Sequence, residues 1–491
     1  MNLRELAARL PGAILSGDGE VAINAVTHDS RKAGPGVLFV AIKGLAADGN
    51  QFVEAARKKG AAAIASEQPA PPGSPWLQVP DARDALAHLS AAVLGEPGKA
   101  LELVGVTGTN GKTTTTYLVD AALRAAGHKV GLLGTVQYRI GDRLADATRT
   151  TPEASDLQAL FREMVDAGCS HAVLEVSSHS LELKRVAGCE FGVAVFTNLT
   201  RDHLDFHGDM DSYFQAKRKL FAELVRVDGR SVINADDDRA AELAAASRAP
   251  VWTYGLDKPA DFRAEDVRLA LDGTRFRVES PVGTHEVKSA LVGRFNVQNV
   301  LAAFAAAVAA GVAPEVALRG LATVTGVPGR LERVAGATGF AVIVDYAHTD
   351  DALKNLLETV RELGPSRVIT VFGCGGDRDR TKRPLMGAVA SRLSDVVIVT
   401  SDNPRSEPPE AILEEIQRGM NGGRKAERHA IVDRREAIAR ALELARPGDA
   451  VVIAGKGHET YQVLRDRTVP FDDRQVARDI LSRLPARSGK P

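Results

Sequence analysis

Short apolar runs recur along the chain at intervals that leave room for a helix between them. In the middle of the chain they occupy residues 101–104, 129–133, 172–176, 193–197 and 231–234. Several are followed by a segment with helical spacing, as at residues 117–123. Strands that alternate with helices are typical of a parallel sheet with helices on both faces. The pattern therefore predicts an α/β fold for this region.

The same pattern divides the chain into three units, with expected bounds of 1–98, 99–325 and 326–491. The first holds short strand-like and helix-like runs and ends in a turn-rich loop. The last alternates again, with apolar runs at 341–344, 367–372, 396–400 and 450–453. Residues 255–286 alternate in a way that predicts β-hairpins, and the alanine-rich run 301–310 predicts a packed helix. We expect a small N-terminal α/β domain, a central phosphate-loop-type parallel sheet with flanking helices, and a C-terminal Rossmann-like α/β domain.

Composition narrows the function classes. The 491 residues carry a formal net charge of −1, which gives no support for a nucleic-acid or membrane-surface binder. No apolar stretch approaches the roughly 18 residues of a membrane span, and the N-terminus lacks a signal-peptide pattern. Three scattered cysteines are too few for a disulfide framework or a zinc site, and Cys374 is expected to fill space rather than react. We expect a cytoplasmic protein, and a monomer.

A glycine-rich loop at residues 105–115 follows the first strand of the central unit and precedes a helix. Backbone N–H groups of such a loop and the positive end of the helix bind phosphate oxygens. Gly108 and Gly111 allow a close backbone approach, Lys112 can reach the β- and γ-phosphates, and Thr113 can bind Mg²⁺. Val106 stands where the strict phosphate-loop pattern has glycine, so this is a variant of that loop.

Polar side chains follow two other strands of the central unit. Glu175 ends one strand, and His203 lies in the polar loop after another. Carboxylates at such strand ends bind Mg²⁺ directly or through water. Taken alone, a histidine in a polar loop is more often a solvated residue. The place of His203 after a parallel strand makes it a candidate for binding a metal or a phosphate.

The third unit offers both charges at its strand ends. Polar segments follow its strands at residues 345–349, 373–380, 402–405 and 455–459. Arg405 can bind a carboxylate with two hydrogen bonds, and Glu459 can bind an ammonium group. A guanidinium and a carboxylate together suit a zwitterionic amino acid.

These segments, together with 329–332, resemble the signatures of the Mur ligases, the ATP-dependent amino-acid-adding enzymes of bacterial peptidoglycan synthesis. The resemblance spans nearly the whole chain and accounts for Val106. Residues 402–405 are similar to the motif of members that add meso-2,6-diaminopimelate. The resemblance implies that ATP phosphorylates the D-Glu carboxylate of UDP-N-acetylmuramoyl-L-Ala-D-Glu. An amino group of diaminopimelate then attacks the acyl phosphate, which gives the UDP-linked tripeptide, ADP and phosphate.

The resemblance also implies roles for single residues. The ATP-binding set is Gly108, Thr109, Asn110, Gly111, Lys112, Thr113, Thr114, Asn296, Asn299 and Arg330. The set for the UDP-linked dipeptide is His28, Ser30, Arg149, Thr150, Thr151, Ser177 and Arg185. The diaminopimelate set is Arg378, Asp402, Asn403, Pro404, Arg405, Gly455 and Glu459. Lys112, Lys217 and His203 are the catalytic candidates, and Thr113, Glu175, His203 and Lys217 are the Mg²⁺ ligands.

Lys217 enters this set only through the resemblance, which implies that its side chain is N-carbamylated. An ammonium group cannot bind Mg²⁺, whereas a carbamate offers carboxylate oxygens. Beside Arg218 and Lys219, the residue alone reads as part of a solvated basic helix face.

Other functions stay open at this point. Relatives within the superfamily add lysine or D-Ala-D-Ala, or extend folylpolyglutamate, and Arg405 is the residue that discriminates against them. A phosphate-loop NTPase or small-molecule kinase would form no amide and leaves Arg405 and Glu459 unexplained. A non-catalytic UDP-sugar binder leaves Lys112 and Thr113 unexplained.

Overall fold

The computed structural model describes residues 1–44, 47–270, 273–334, 339–422 and 426–483. Three main sheets follow one another along the chain. The matching domain bounds of 98 and 325 stay a prediction. Short 3₁₀ turns lie at Ser30–Lys32, Gly49–Phe52, Pro97–Ala100 and Gly419–Gly422, and a π turn lies at Leu220–Leu224.

The first sheet has the strand order β1-β5-β4-β3-β2, and all neighbours are parallel except β1 and β5. Its elements are α1 (Leu3–Ala7), β1 (Ile14–Ser16), β2 (Ala25–Thr27), β3 (Val37–Val40), α2 (Val53–Lys58), β4 (Ala63–Ser66), β5 (Trp76–Gln78) and α3 (Ala82–Val93). Helix α3 buries its apolar face against this sheet and also packs on the central unit.

The central sheet follows the order β16-β15-β14-β13-β12-β11-β6-β10-β7-β8-β9. Its strands are β6 (Glu102–Thr107), β7 (Val130–Leu133), β8 (Gln137–Ile140), β9 (Arg143–Asp146), β10 (His171–Glu175), β11 (Phe191–Phe196), β12 (Val225–Asn234), β13 (Val251–Gly255), β14 (Phe262–Ala270), β15 (Gly273–Ser280) and β16 (Gly283–Ser289). Its helices are α4 (Lys112–Ala125), α5 (Ala154–Asp166), α6 (Ser178–Glu182), α7 (Leu204–His207), α8 (Met210–Lys219), α9 (Ala240–Ala246), α10 (Arg294–Ala309) and α11 (Pro314–Ala322).

The middle of this sheet is parallel, as the sequence predicts. Strands β10 and β11 are buried along their whole length because helices cover both faces, which explains their unbroken apolar runs. Helix α10 is buried on nearly all sides, so its alanines allow close packing against α4 and β12. The antiparallel pairs β14/β15 and β15/β16 confirm the predicted hairpins.

The third sheet has the order β17-β18-β22-β19-β20-β21 and is parallel except for β17. Its strands are β17 (Glu332–Arg333), β18 (Ala341–Asp345), β19 (Val368–Phe372), β20 (Val396–Val399), β21 (Glu427–Ala430) and β22 (Ala450–Ala454), and a separate hairpin pairs β23 (Tyr461–Val463) with β24 (Thr468–Pro470). Its helices are α12 (Asp350–Glu362), α13 (Lys382–Leu393), α14 (Pro409–Arg418), α15 (Arg434–Leu444) and α16 (Asp473–Leu481).

Two expectations about side chains and membranes can be compared with this fold. Among the described residues, no helix combines the length and the apolar character that crossing a bilayer requires. The cysteines at 169, 189 and 374 are buried and unpaired with one another. Burial raises the pKa of Cys374 to about 12, so this thiol fills space rather than reacts.

Candidate functional site

The glycine-rich loop connects β6 to α4 and presents the helix N-terminus to an open space. Gly108 and Gly111 have φ values of +147° and +87°. A Cβ on Gly108 would lie 1.8 Å from Thr197 Oγ1, and one on Gly111 would lie 2.4 Å from Asn299 Oδ1. Only glycine fits both places, so the loop packs tightly on its support and leaves its N–H groups available to an anion.

Lys112 folds back over this loop. Its Nζ donates to the carbonyls of Gly108 (2.9 Å) and Thr109 (2.8 Å). Burial lowers the pKa of Lys112, the Glu175 carboxylate opposes that shift, and the Arg330 cation adds to it. The Lys112 ammonium group is therefore held at the loop, where a bound phosphate could replace the two carbonyls as its hydrogen-bond acceptor.

A cavity of about 530 Å³ opens in front of the loop, between the central unit and the C-terminal unit. Most of the predicted nucleotide and metal residues line it: Gly108, Thr109, Asn110, Gly111, Lys112, Thr113, Thr114, Glu175, His203, Lys217, Asn299 and Arg330. Asn296 is absent from this lining. Its amide donates to Val292 O (2.8 Å) and accepts from Asn299 Nδ2 (3.0 Å), so it supports Asn299 from behind.

Glu175 is almost fully buried at the carboxyl end of β10, where Thr135 orients it. The backbone N–H of Thr135 donates to Oε1 (2.8 Å) and its hydroxyl donates to Oε2 (3.0 Å). Thr135 Oγ1 also lies 3.0 Å from Thr150 Oγ1. Thr135 was not predicted, although the same signal was present in the sequence, since this polar residue follows the end of β7.

His203 takes a left-handed backbone conformation, with φ +56°, at the start of α7. Its Nε2 lies 3.3 Å from Asp202 Oδ2, and its ring meets that of His179 edge-on at 4.7 Å. Burial lowers the pKa of His203 well below its ordinary value, although two-fifths of the side chain still reaches solvent. The imidazole is therefore neutral at neutral pH and has a lone pair for a metal or a proton.

Lys217, near the C-terminus of α8, is 1% exposed. Its Nζ donates to Gly108 O (2.9 Å) and lies 4.3 Å above the ring of Tyr213. Among the residues that the structure describes, it is in no ion pair. Burial, and then the cation of Lys112, lower the pKa of Lys217 well below its ordinary value. The reading as a solvated basic face is wrong, because this amine is buried and its ammonium form is destabilised there.

The C-terminal unit closes the cavity through Arg330. Its Nη2 donates to Thr113 Oγ1 (3.1 Å), and its guanidinium lies 4.6 Å above the ring of Tyr346. A second contact joins Asn110 Nδ2 to Asp351 Oδ2 (3.0 Å). Arg330 thus brings a positive charge from the third unit to the phosphate loop.

The residues predicted to bind the UDP-linked dipeptide extend from this cavity toward the N-terminal unit. Thr150 and Ser177 line the cavity. Behind them Arg185 donates to Thr151 O (3.3 Å) and lies 2.8 Å from the buried carboxylate of Glu153, which Arg149 also approaches at 3.4 Å.

Across the junction between the two units, His28 Nδ1 lies 3.0 Å from Ser155 Oγ. Ser30 lies two residues further on, in the first turn of the adjacent 3₁₀ segment. The predicted residues therefore form a path between units, although they share no single pocket. Glu153 and Ser155 were not predicted.

The residues predicted to bind diaminopimelate lie outside the cavity lining, at the carboxyl ends of the C-terminal strands. Asn403 Nδ2 donates to Glu459 Oε2 (2.9 Å). Arg405 has φ +52°, and its Nη1 donates to Gly376 O (2.7 Å), which leaves its other N–H groups for a ligand. Arg378 is exposed, and its Nη1 donates only to Asp377 O (3.3 Å) among the described residues. Asp402, Pro404 and Gly455 complete this group.

Comparisons with known proteins show the family of this chain. Family models match the chain as the Mur ligase middle domain (residues 106–307), the Mur ligase glutamate ligase domain (329–457) and the Mur ligase family catalytic domain (22–93). Curated relatives named UDP-N-acetylmuramoyl-L-alanyl-D-glutamate–2,6-diaminopimelate ligase include those of Geobacter metallireducens and Gloeobacter violaceus. The first is 48% identical over 97% of each chain, and the second is 48% identical over 99% of each chain.

Solved structures give the same result. One with that enzyme name is 34% identical, covers 98% of this chain and 99% of its own, and superposes with a TM-score of 0.70. A crystal structure of MurF from Acinetobacter baumannii, at 20% identity and a TM-score of 0.66 over 94% of each chain, shares the fold. The chain belongs to the Mur ligase family.

Proposed function

We propose that the chain is an ATP-dependent amide ligase that adds meso-2,6-diaminopimelate to the D-Glu of UDP-N-acetylmuramoyl-L-Ala-D-Glu. The observation that carries the substrate assignment is the joint placement of Arg405 and Glu459 at one end of the C-terminal sheet. A substrate with a carboxylate on its side chain needs a cation such as Arg405, and its ammonium needs a carboxylate such as Glu459. The relatives of nearly equal length carry the same enzyme name.

The phosphate-loop cavity binds ATP in this proposal. The loop N–H groups and Lys112 bind the β- and γ-phosphates, and Arg330 adds a cation from the opposite side. Asn299 supports the loop and lines the same space. Lys112 and Arg330 would place two cations at the transferred phosphoryl group, where negative charge develops in the transition state.

Mg²⁺ fits the donors that this cavity offers. The described residues contain no cluster of three or more His, Cys, Asp or Glu side chains placed for a metal. The proposed set instead combines Glu175 and neutral His203 with the Thr113 hydroxyl and a carbamate on Lys217. CO₂ adds only to a neutral amine, and burial of Lys217 with no ion pair among the described residues favours its neutral form. When bound, the ion supplies charge neutralisation at the phosphates.

The remaining residues position the reacting groups. The dipeptide is bound by Thr150, Thr151, Ser177 and Arg185. The UDP end of this substrate lies toward His28, Ser30 and Arg149. The D-Glu carboxylate forms a bond to the γ-phosphorus as ADP leaves. The amine of diaminopimelate then forms the amide bond, phosphate leaves, and the nitrogen loses its proton. Enclosure between the units excludes water from the acyl phosphate.

We also propose that the enzyme acts as a monomer in the cytoplasm, with units dividing near residues 98 and 325. One chain contributes every residue of the proposed sites. The buried, unpaired cysteines agree with a reducing compartment.

The test is ADP release from ATP, measured with every combination of the UDP-linked dipeptide and a panel of amino acids. We expect ADP release only when the dipeptide and meso-diaminopimelate are both present, together with an amide product of matching mass. ADP release with no amide, or release independent of the amino acid, would instead identify an NTPase or kinase. A mass spectrum of the native protein tests the carbamate separately, because it should show one added CO₂ that Lys217→Met lacks.

A further inference from the structure

Lys456 is a completely buried lysine in the loop after β22, with 0% of its surface exposed. Its Nζ donates to Glu459 Oε2 (2.9 Å) and to Asn403 Oδ1 (3.0 Å), and lies 3.5 Å from Asp402 Oδ1. All three neighbours belong to the proposed amino-acid site, whereas Lys456 itself was not predicted to act there.

Asn403 and Glu459 are oriented by the same set of bonds. Asn403 Oδ1 accepts from Lys456 Nζ and from the backbone N–H of Val463 (2.9 Å), while its Nδ2 donates to Glu459 Oε2 (2.9 Å). The three side chains therefore close a ring of hydrogen bonds. A reversed Asn403 amide would place its NH₂ group against two donors, so the ring fixes one orientation.

The ring leaves part of Glu459 available. Both bonds to its carboxylate are made at Oε2, and Oε1 has no hydrogen bond to the residues that the structure describes. The side chain is partly exposed, with 16% of its surface reaching solvent. An ammonium group can therefore approach Oε1 while Oε2 stays anchored.

The charge of Lys456 matters as well as its hydrogen bonds. Asp402 and Glu459 bring two carboxylates to one side chain. A neutral residue at 456 would remove the ion-pair partner that these two carboxylates share, which favours their displacement from these positions. Such a displacement would weaken the binding of a substrate ammonium.

We infer that Lys456 is a positioning residue for the amino-acid substrate, acting through Asn403 and Glu459. The inference rests on the proposed function, since it assumes that Glu459 binds the substrate's ammonium group. Lys456 does not touch the substrate; it fixes the amide and the carboxylate that do. Its loss should therefore affect the amino acid far more than the other two substrates.

A merely structural role makes a different prediction. The loop that contains Lys456 and His458 packs closely against the segment that contains Gly329 and Arg330. A Cβ on Gly329 would lie only 2.1 Å from the backbone N of His458. If Lys456 only supported this loop, its loss would also displace Arg330 and raise the KM for ATP. The KM values of the separate substrates therefore distinguish the two roles.

The experiment compares Lys456→Met with the wild-type enzyme in steady-state assays of all three substrates. We expect the KM for meso-diaminopimelate to rise at least about 30-fold, while the KM values for ATP and the dipeptide stay within about twofold. Arg367→Met is the matched control. It removes a cation from the Asp449 ion pair at the opposite end of the same sheet, so it should leave all three KM values unchanged.

A double-variant cycle tests whether Lys456 acts through Asn403. We expect the KM for diaminopimelate in the Lys456→Met/Asn403→Ala enzyme to be close to that of the worse single variant, because both changes break the same ring. Independent effects that multiply would overturn the inference, as would equal rises in KM for ATP and diaminopimelate.

Three further outcomes are distinguishable. If Lys456→Met does not fold, Lys456→Gln keeps a donor without the charge, and an unchanged KM for diaminopimelate in that variant would overturn the inference. If the wild-type enzyme shows no diaminopimelate-dependent ADP release, the proposed function itself is wrong. A wild-type enzyme that uses diaminopimelate and a Lys456→Met enzyme with the same KM would refute only the inference.

Discussion

Two buried lysines, Lys217 in the central unit and Lys456 in the C-terminal unit, have opposite electrostatic surroundings. Both side chains are essentially inaccessible to solvent. Lys456 contacts two carboxylates and an amide oxygen, whereas Lys217 contacts one backbone carbonyl and an aromatic ring. Among the described residues, Lys456 forms ion pairs and Lys217 forms none.

The difference indicates what each region is built for. A buried cation with counter-ions is part of a fixed framework, because removing either partner leaves an uncompensated charge. A buried amine without a counter-ion is destabilised as a cation, and this favours the neutral, nucleophilic form that chemical modification requires. In the C-terminal region, ion pairs fix the positions of the side chains around Lys456. In the central region, the lack of an ion pair at Lys217 among the described residues favours a reactive amine.

The largest expected effect is on turnover in the central region. Lys217→Met should lower kcat at least about 100-fold, because the proposed carbamate can no longer form. The free energy of unfolding should change by no more than about 1 kcal/mol, since only one hydrogen bond is lost and methionine fills similar space.

Urea denaturation and ADP release measure the two quantities for the Lys217 variant. Lys219→Met on the same helix is the control, because that lysine is partly exposed and pairs with Glu182. Retained turnover in Lys217→Met, or a large loss of stability, would contradict the contrast between the two regions.

The next largest effect should be on the stability of the C-terminal unit. Arg434 and Asp473 form a fully buried ion pair behind the amino-acid site, at 2.7 Å. Arg434→Met should destabilise this unit by about 3–5 kcal/mol, because the Asp473 carboxylate stays buried without its partner. Hydrogen exchange at the amides of β22 reports this unit alone. Arg440→Met, which removes an exposed arginine of the same helix, should leave exchange unchanged.

A smaller effect is expected where the charged framework meets the substrate. Arg405→Ala should raise the KM for meso-diaminopimelate about 10- to 100-fold and leave the KM for ATP unchanged, because one charge-assisted contact to a carboxylate is lost. Steady-state assays measure both values. Arg380→Ala in the neighbouring loop is the control, since Arg380 is exposed and pairs with Glu415. Equal rises for both substrates would argue against the assignment of Arg405.

The smallest effect concerns pH and His171, a second buried group of the central unit that has no ion pair with any residue the structure describes. Burial, and then His128, lower the pKa of His171 from 6.5 to about 4. Between these values the unfolded chain binds more protons than the folded one, so stability is lost as the pH falls through this window. His171→Gln should lose less of its urea midpoint than the wild-type protein between these pH values. The exposed His88→Gln should follow the wild-type profile.

The sequence predicts the parts of this molecule in which neighbours in the chain are also neighbours in space. Strand, glycine-rich loop and helix are consecutive, so the phosphate site is visible from residues 105–115. Ligands bind at the carboxyl ends of parallel strands, and this rule predicts Glu175, His203 and Glu459 as site residues. The same rule, applied to β7, would have found Thr135.

Burial and pairing over long separations could not be predicted. Lys456 stands between glycines, a context that suggests an exposed loop, and its burial depends on how the segment at 402–403 folds over it. Lys217 shows the reverse error, because two basic neighbours suggest a solvated face while the helix turns this one side chain inward. Glu153 likewise could not be predicted, because its ion pairs with Arg149 and Arg185 form only in the folded chain.

Competition between two amino acids in one reaction tests the central claim most directly. Meso-diaminopimelate and L-lysine are supplied at equal concentrations with ATP and the UDP-linked dipeptide, and mass spectrometry measures the ratio of the two amide products. The charge pattern of Arg405, Asn403 and Glu459 predicts an excess of the diaminopimelate product of at least about 100-fold, because lysine leaves the guanidinium without its carboxylate. Equal amounts of the two products, or ADP without either amide, would contradict the account.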